Sequence, residues 1–444
     1  MEYKEFHGHV FYRRMNHARP MLSHGEGIYL VDTAGKRYID ASGGPVLINI
    51  GYGVAEVIQA MTNQAATAAY LHATMFTTQA LEEYSAALAE VTPLENPRFF
   101  YLGSGSEAVE TAIKFARQVQ VDRGETQRYL VISRWHSYHG TTLGALAVSG
   151  RPGLRQLYQP MLAQTPHIEP PYCYRCPFNL SYPGCGLRCA HALEEAIKLN
   201  GQETISAFIA EPISGASLAA AVPPPDYWPL IRQICDHYGL LLIADEVMTG
   251  FGRAGYWFAV QAWGVEPDII TMAKGAGGGY FPLSITAVKT EDVKTIRTGH
   301  GDFVHGGTFS HHPVGMAAGL AVLRYIQAHN LVEASRKQGE NLGQKLQAAF
   351  GDHPQVGDIR GQGLMWGLEF VADRASKAPF PAKQGVSKKI GDAAFERGLI
   401  VYPSSGNADG LNGDQVMIAP PFIVTDEQLD EIVGLLGEAI KAVI

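Results

Sequence analysis

Leu240-Leu241-Leu242-Ile243-Ala244-Asp245-Glu246 and Asp268-Ile269-Ile270-Thr271-Met272-Ala273-Lys274 are the two runs that decide how this chain reads. Each is short and apolar, and each ends on an ionisable side chain. A continuous apolar run of this length, bounded by turn residues, predicts a strand buried on both faces of a sheet. The second run is followed by Gly275-Ala276-Gly277-Gly278-Gly279, a strong turn signal. Upstream, strands predicted over 99–102, 129–132 and 205–210 alternate with helices over 107–119, 190–199 and 227–238. Such alternation predicts a mostly parallel sheet with helices on both faces, an α/β fold. Ligands of these sheets collect at the carboxyl ends of the strands. Gly103, Glu211, Asp245 and Lys274 all fall at such ends.

Outward from this centre, 27–32 and 37–40 read as a β-ribbon, and helical spacing begins near residue 54 and again over 81–91. A helix over 312–328 leads into strands at 364–370 and 416–418 and helices at 386–397 and 426–443. Because 444 residues exceed what one core usually supports, two domains are expected. They are a large domain over 56–324 and a smaller α/β domain from 1–55 plus 325–444.

Composition narrows the function class. With 46% hydrophobic and 18% charged residues and a net charge of −8, the chain reads as a globular enzyme with no basic face for nucleic acid or an anionic membrane. The first residues carry charges and no apolar leader core, and no run approaches the roughly 18 apolar residues of a membrane span. A cytoplasmic location is expected. Cys235 reads as a buried apolar residue. Cys173, Cys176, Cys185 and Cys189 have CxxC…CxxxC spacing, which could chelate zinc, but the proline-rich segment lacks paired-knuckle spacing. Reduced thiols in a packed loop are the expectation, with no metal site.

Gly103-Ser104-Gly105-Ser106-Glu107-Ala108 leaves a strand and opens a helix, so its amides and the helix dipole suit a phosphate. No Gly-Lys-Ser/Thr follows, so this is not a nucleotide-hydrolase loop. In Trp135-His136-Ser137-Tyr138-His139-Gly140, an aromatic ring at a strand exit could stack on a planar heterocycle, whereas Trp135 reads as packing. Thr308, in His305-Gly306-Gly307-Thr308-Phe309, offers another phosphate donor. A lysine and an aspartate at two strand exits suit pyridoxal phosphate. The lysine can hold it as a Schiff base while the aspartate keeps the pyridine nitrogen protonated.

Together these segments resemble the class III pyridoxal-phosphate aminotransferases of fold type I, from Gly25-Glu26-Gly27-Ile28-Tyr29 to Ala419-Pro420-Pro421-Phe422-Ile423-Val424-Thr425. The most specific match is 242–247, Thr249-Gly250-Phe251-Gly252-Arg253, Asp268 and Lys274 in order. The resemblance implies a large domain with a mostly parallel seven-stranded sheet, and Lys274 as covalent anchor and proton carrier. It places Asp245 at the pyridinium nitrogen, Val247 and Tyr138 on the two ring faces, and Glu211 near the cofactor oxygen. It gives Ser104, Gly105, Ser106 and His139 cofactor contacts, with Thr308 reaching in from a neighbouring subunit of a homodimer or tetramer. The implied reaction is ping-pong transfer, through pyridoxamine phosphate, from a primary amine or ω-amino acid to pyruvate or a related 2-oxo acid. An aminomutase or epimerase of the same architecture would use the same residues.

Two departures bear on substrate. Relatives acting on 4-aminobutyrate or ornithine carry an arginine where this chain has Thr141, and many pyruvate-dependent ones carry one where it has Tyr402. Val46 and Leu47 are expected to line an apolar substrate entrance, with Phe76 nearby; the alternative is that they are core residues of a dimer interface.

Overall fold

The structure is a computed structural model that describes residues 9–15, 17 and 19–444. Its central sheet has seven strands in the order Pro97–Leu102, Ser284–Lys289, Ile269–Met272, Leu241–Asp245, Ile205–Ala210, Leu130–Arg134 and His167–Ile168. Ser284–Lys289 runs antiparallel to both its neighbours, and the pairs from Ile269–Met272 onward are parallel. Two antiparallel steps restore direction, so Pro97–Leu102 points the same way as the parallel strands. Leu102, Arg134, Ala210, Asp245 and Met272 therefore all end on one edge, and the loops after them converge.

Local chemistry explains the elements. Leu241–Asp245 is buried at every position, as an inner strand with helices on both faces requires. The preceding helix, Tyr227–Tyr238, stops at Gly239, whose φ of +66° a residue with a Cβ rarely adopts. Ser104 caps the helix Gly105–Asp122 by accepting from the Glu107 amide. Ser284–Lys289 has no counterpart in the sequence reading. Its Ser284 and Thr286 interrupt the apolar run yet lie buried, and Thr286 is satisfied by donating to the Ala108 carbonyl at 2.9 Å.

Two four-stranded sheets flank this centre. In one, Leu399–Ile400 pairs in parallel with Arg37–Asp40, which joins the C-terminal segment to the N-terminal ribbon. The other orders Val356–Gly361, Trp366–Phe370, Asp414–Ile418 and Tyr402–Ser405 as an antiparallel sheet. The helix Pro313–Ala328 runs unbroken through residue 325 and packs on Ala55–Thr67 and Gln79–Val91. One hydrophobic cluster extends from Ile28 and Tyr84 through Ile270 and Leu323 to Leu368 and Leu429. On the parallel pairing we keep a smaller domain built from both termini as a proposal, sharing that core with the larger one. Among the described residues no helix is long and apolar enough to cross a membrane.

Arg253 is the principal polar tie between these parts. It is 2% exposed and donates to the carbonyls of Ile48 at 3.0 Å, Leu364 at 2.9 Å and Pro420 at 2.6 Å, with its guanidinium 4.6 Å from the Phe422 ring centre. Burial pushes its pKa down to about 9, and the Asp40 carboxylate opposes that. Arg253→Met keeps the packing volume but strands three buried carbonyls, each costing roughly 1–3 kcal/mol. The expected result is a loss of at least about 3 kcal/mol in urea unfolding. A midpoint unchanged from the parent protein would refute this role.

Candidate active site

The converging strand ends enclose a cavity of about 270 Å³. Ser104, Gly105, Ser106, Tyr138, His139, Glu211, Asp245, Val247 and Lys274 all line it. Lys274 follows the strand Ile269–Met272 and adopts φ +45°, a left-handed turn that aims the side chain back across the strand ends. It keeps some free surface because its amine faces the cavity, but protein surrounds it. Burial lowers its pKa to about 8, the carboxylates of Asp245 and Glu211 pull it back up, and Arg253 presses it down further.

Asp245 is fixed on both oxygens. Oδ1 accepts from the Val247 amide at 3.1 Å and from Thr271 Oγ1 at 3.0 Å, while Oδ2 lies 2.6 Å from His139 Nδ1. An ionised carboxylate here requires the His139 hydrogen on Nδ1. His139 is itself positioned by its amide, which donates to Ser149 Oγ at 2.8 Å, and its Nε2 is buried with no partner. Glu211 Oε1 accepts from the Gly215 amide at 3.3 Å, and Oε2 is likewise buried and unpartnered. Burial raises the Glu211 pKa, against the attraction of His139 and Arg134.

The phosphate-type turn is closely packed. A Cβ on Gly105 would lie 2.9 Å from Val247 Cγ1, so glycine lets the helix start meet the residues after Asp245. Ser106 Oγ accepts from the Thr141 amide at 3.1 Å. Ser104 Oγ donates to Glu107 Oε2 at 2.8 Å, so its hydroxyl serves the helix end rather than pointing freely at a ligand.

The coordinates correct the expectation for Val46 and locate the other residues that the sequence singled out. Val46, expected at the entrance, is 2% exposed and packs with Ile213, Met365 and Met417, whereas Leu47 beside it does line the cavity. The chain twists at this point, with φ +62° at Val46, which sends neighbouring side chains to opposite sides. Phe76 is 68% exposed and away from the lining, and Phe281 takes the aromatic place there. Thr308 is exposed and outside the cavity of its own chain. Trp135 stacks on His167 with ring centres 4.5 Å apart. Asp268 accepts from Arg232 and Lys289 and from the Leu242 amide, a brace between strands with no place in the cavity.

The role of Thr271 escaped the sequence reading, although a lone hydroxyl three residues before the end of the Asp268–Lys274 run was the available signal. The pairing of His139 with Asp245 had none, since 106 positions separate the two. Cys173, Cys176, Cys185 and Cys189 carry no disulfide and surround a small separate cavity with Phe178 and Tyr182. Burial pushes the Cys173 thiol up and that of Cys189 to about 11. Among the described residues no group of three or more His, Cys, Asp or Glu side chains is arranged to hold a metal ion. Tyr172 and Arg175 anchor this loop by bonding to the buried Glu369.

Comparison with known proteins agrees with this geometry. The family model described as aminotransferase class-III matches residues 11–440. The chain is 39% identical to the uncharacterized aminotransferase YodT of Bacillus subtilis, over 97% of this chain and 96% of that one. It is 35% identical to a putrescine–pyruvate aminotransferase of Pseudomonas aeruginosa, over 96% and 91%. The crystal structure of an omega transaminase from Pseudomonas jessenii in complex with PMP superposes with a TM-score of 0.89 at 34% identity, over 96% and 93%. A lysine and a buried aspartate on one sheet edge, in a chain matched over nearly its whole length, leave one assignment: this protein is a class III aminotransferase with the fold type I architecture of that family.

Proposed function

We propose that this enzyme transfers the amino group of a primary amine or ω-amino acid to pyruvate or a related 2-oxo acid, by ping-pong turnover on pyridoxal phosphate attached at Lys274. The observation that carries this reading is the lysine of lowered pKa beside Asp245, in a cavity whose lining includes Leu47, Phe281 and Leu283. Those walls suit the carbon chain of an amine. Thr141 cannot form the bidentate ion pair that an arginine would offer a second substrate carboxylate. The putrescine–pyruvate relative supports the same donor and acceptor classes.

The residues present fit the cofactor. The start of the helix Gly105–Asp122 opens into the cavity and suits a phosphate. The unpartnered Glu211 Oε2 and His139 Nε2 lie in the same polar wall as Asp245. Pyridoxal phosphate, when bound, supplies an electron sink that acidifies the C–H beside the substrate nitrogen. Asp245, held by Val247, Thr271 and His139, keeps a proton on the pyridine nitrogen. Tyr138 and Val247, both in the cavity lining, would hold the ring from its two faces. Lys274 would hold the cofactor covalently, and its free amine Nζ would serve as the base that takes the proton from the substrate carbon and the acid that gives it back.

For that transfer Lys274 must be unprotonated. With its pKa near 8, the donor half-reaction rate should rise about tenfold per pH unit below 8 and level off above it. A rate flat between pH 6 and 9 would refute the assignment. The reading as a whole is tested by stopped-flow absorbance. Putrescine, β-alanine or 1-phenylethylamine alone should bleach the visible band of the loaded enzyme, and pyruvate should restore it. Absence of bleaching by every donor would sink the proposal, and turnover of one substrate without acceptor would mark an isomerase instead.

A homodimer with shared sites belongs to the same proposal. Thr308 is solvent-facing in its own chain, as a residue serving a neighbour's site must be. Met75, Phe76, Val304 and Phe309 are 66–74% exposed, an apolar surface suited to a subunit contact.

A further inference from the structure

With Tyr402 where related chains carry an arginine, the acceptor carboxylate has no assigned partner. The cavity lining itself contains no arginine. Three buried arginines nearby are already committed. Arg134 donates to the Glu211 carbonyl, Arg155 to the carbonyls of Leu146, Ala147 and Ser149, and Arg253 to three others. Arg151 differs. It is half-buried, its guanidinium makes a single long bond, Nη2 to the Ser405 carbonyl at 3.4 Å, and no carboxylate among the described residues pairs with it.

Its position is tightly set. The Gly150 amide donates to Ser137 O at 3.1 Å and Ser137 Oγ at 3.0 Å, and the His136 amide donates to Gly150 O at 2.9 Å. These bonds hold the backbone of Arg151 beside the turn that presents Tyr138 to the cavity. On the other side runs the glycine-rich loop after Tyr402. Gly410 approaches so closely that a Cβ there would lie 2.9 Å from Pro152 Cγ. Arg151 thus sits in the notch between the Tyr138 turn and that loop. The electrostatics agree. Burial raises the Tyr138 phenol pKa, Tyr402 adds to this, and Arg13 and Arg151 both pull it down. Asp409 on that loop accepts from the amides of Leu411 and Asn412 and from Asn412 Nδ2, and it forms no ion pair with Arg151.

We propose that Arg151 binds the carboxylate of the 2-oxo acid acceptor at the rim of the cavity, from the Tyr138 turn rather than from the C-terminal strand that carries Tyr402. This rests on the aminotransferase reading above. A planar guanidinium with most of its N–H groups free can grip a carboxylate through two parallel bonds. The long bond to Ser405 is weak enough to break when an acid arrives and to re-form when a neutral amine occupies the site.

The test compares Arg151→Ala, Arg151→Lys and Arg13→Ala in the holoenzyme with pyruvate and with propanal, an acceptor lacking the carboxylate. For Arg151→Ala the ratio of kcat/KM for pyruvate over propanal should fall about 10- to 100-fold, mostly through the KM of pyruvate. Arg151→Lys should recover part of that ratio, since it restores charge without the fork. Donor-induced bleaching of the visible band shows that each variant is folded and loaded. The inference is overturned if pyruvate and propanal decline together, if the ratio stays at the parent value, or if the drop follows Arg13→Ala instead. Failure of pyruvate to restore the band in the parent enzyme would instead strike the underlying reaction assignment, so the two failures are distinguishable.

Discussion

Lys274→Ala will yield a folded protein with no covalently attached cofactor and transamination reduced by about four orders of magnitude or more. The fold should tolerate the change. Alanine has the same Cβ as lysine, so the φ of +45° is no more strained, and a buried cation with a displaced pKa is removed from the cavity. The chemistry has no substitute. Among the residues lining the cavity Lys274 is the single amine, so neither the covalent link nor the proton carrier can be supplied from elsewhere in the lining. The measurement is borohydride reduction followed by intact and peptide mass spectrometry, alongside the donor–pyruvate rate. A reducible adduct persisting on another lysine would show that the anchor is misassigned.

Asp245→Asn should cost about 10³-fold in kcat, near 4 kcal/mol of transition-state stabilisation, with far less change in the amount of cofactor bound. The geometry dictates how the amide must sit. Val247 N–H and Thr271 Oγ1 both donate toward Oδ1, so the amide oxygen has to take that place. Its NH₂ then faces His139 Nδ1, and that ring nitrogen must give up its hydrogen to accept. The negative charge opposite the pyridine nitrogen is gone, and with it the force that keeps a proton there. Single-turnover rates with 1-phenylethylamine, and the wavelength of the bound cofactor, read the two effects separately. A kcat within threefold of the parent enzyme would remove Asp245 from the role proposed for it.

Much of this was legible in the amino-acid order. The run Leu241–Asp245 is buried at every position, so its apolar character carried the fold signal directly. Ile205–Ala210 and Tyr227–Tyr238 fall where the sequence places them. Ser284–Lys289 was hidden because its buried Thr286 hydroxyl is satisfied by the Ala108 carbonyl, 178 positions away, which no local pattern reveals. Val46 and Leu47 looked alike as neighbouring apolar residues, and a left-handed backbone turn sent one to the core and the other to the cavity.

By itself the sequence determined the α/β class, the strand ends that meet at the site, and the side chains able to do chemistry there, including Lys274 and Asp245. These follow from burial and from residue chemistry, which act position by position. Only the tertiary structure decided what each of those side chains faces. His139 meets Asp245, Arg253 is consumed by three distant carbonyls, and Arg151 is left in a notch with a single long bond to the Ser405 carbonyl. A side chain's charge state and availability depend on partners brought together from far along the chain, and that information exists only once the strands have been set side by side.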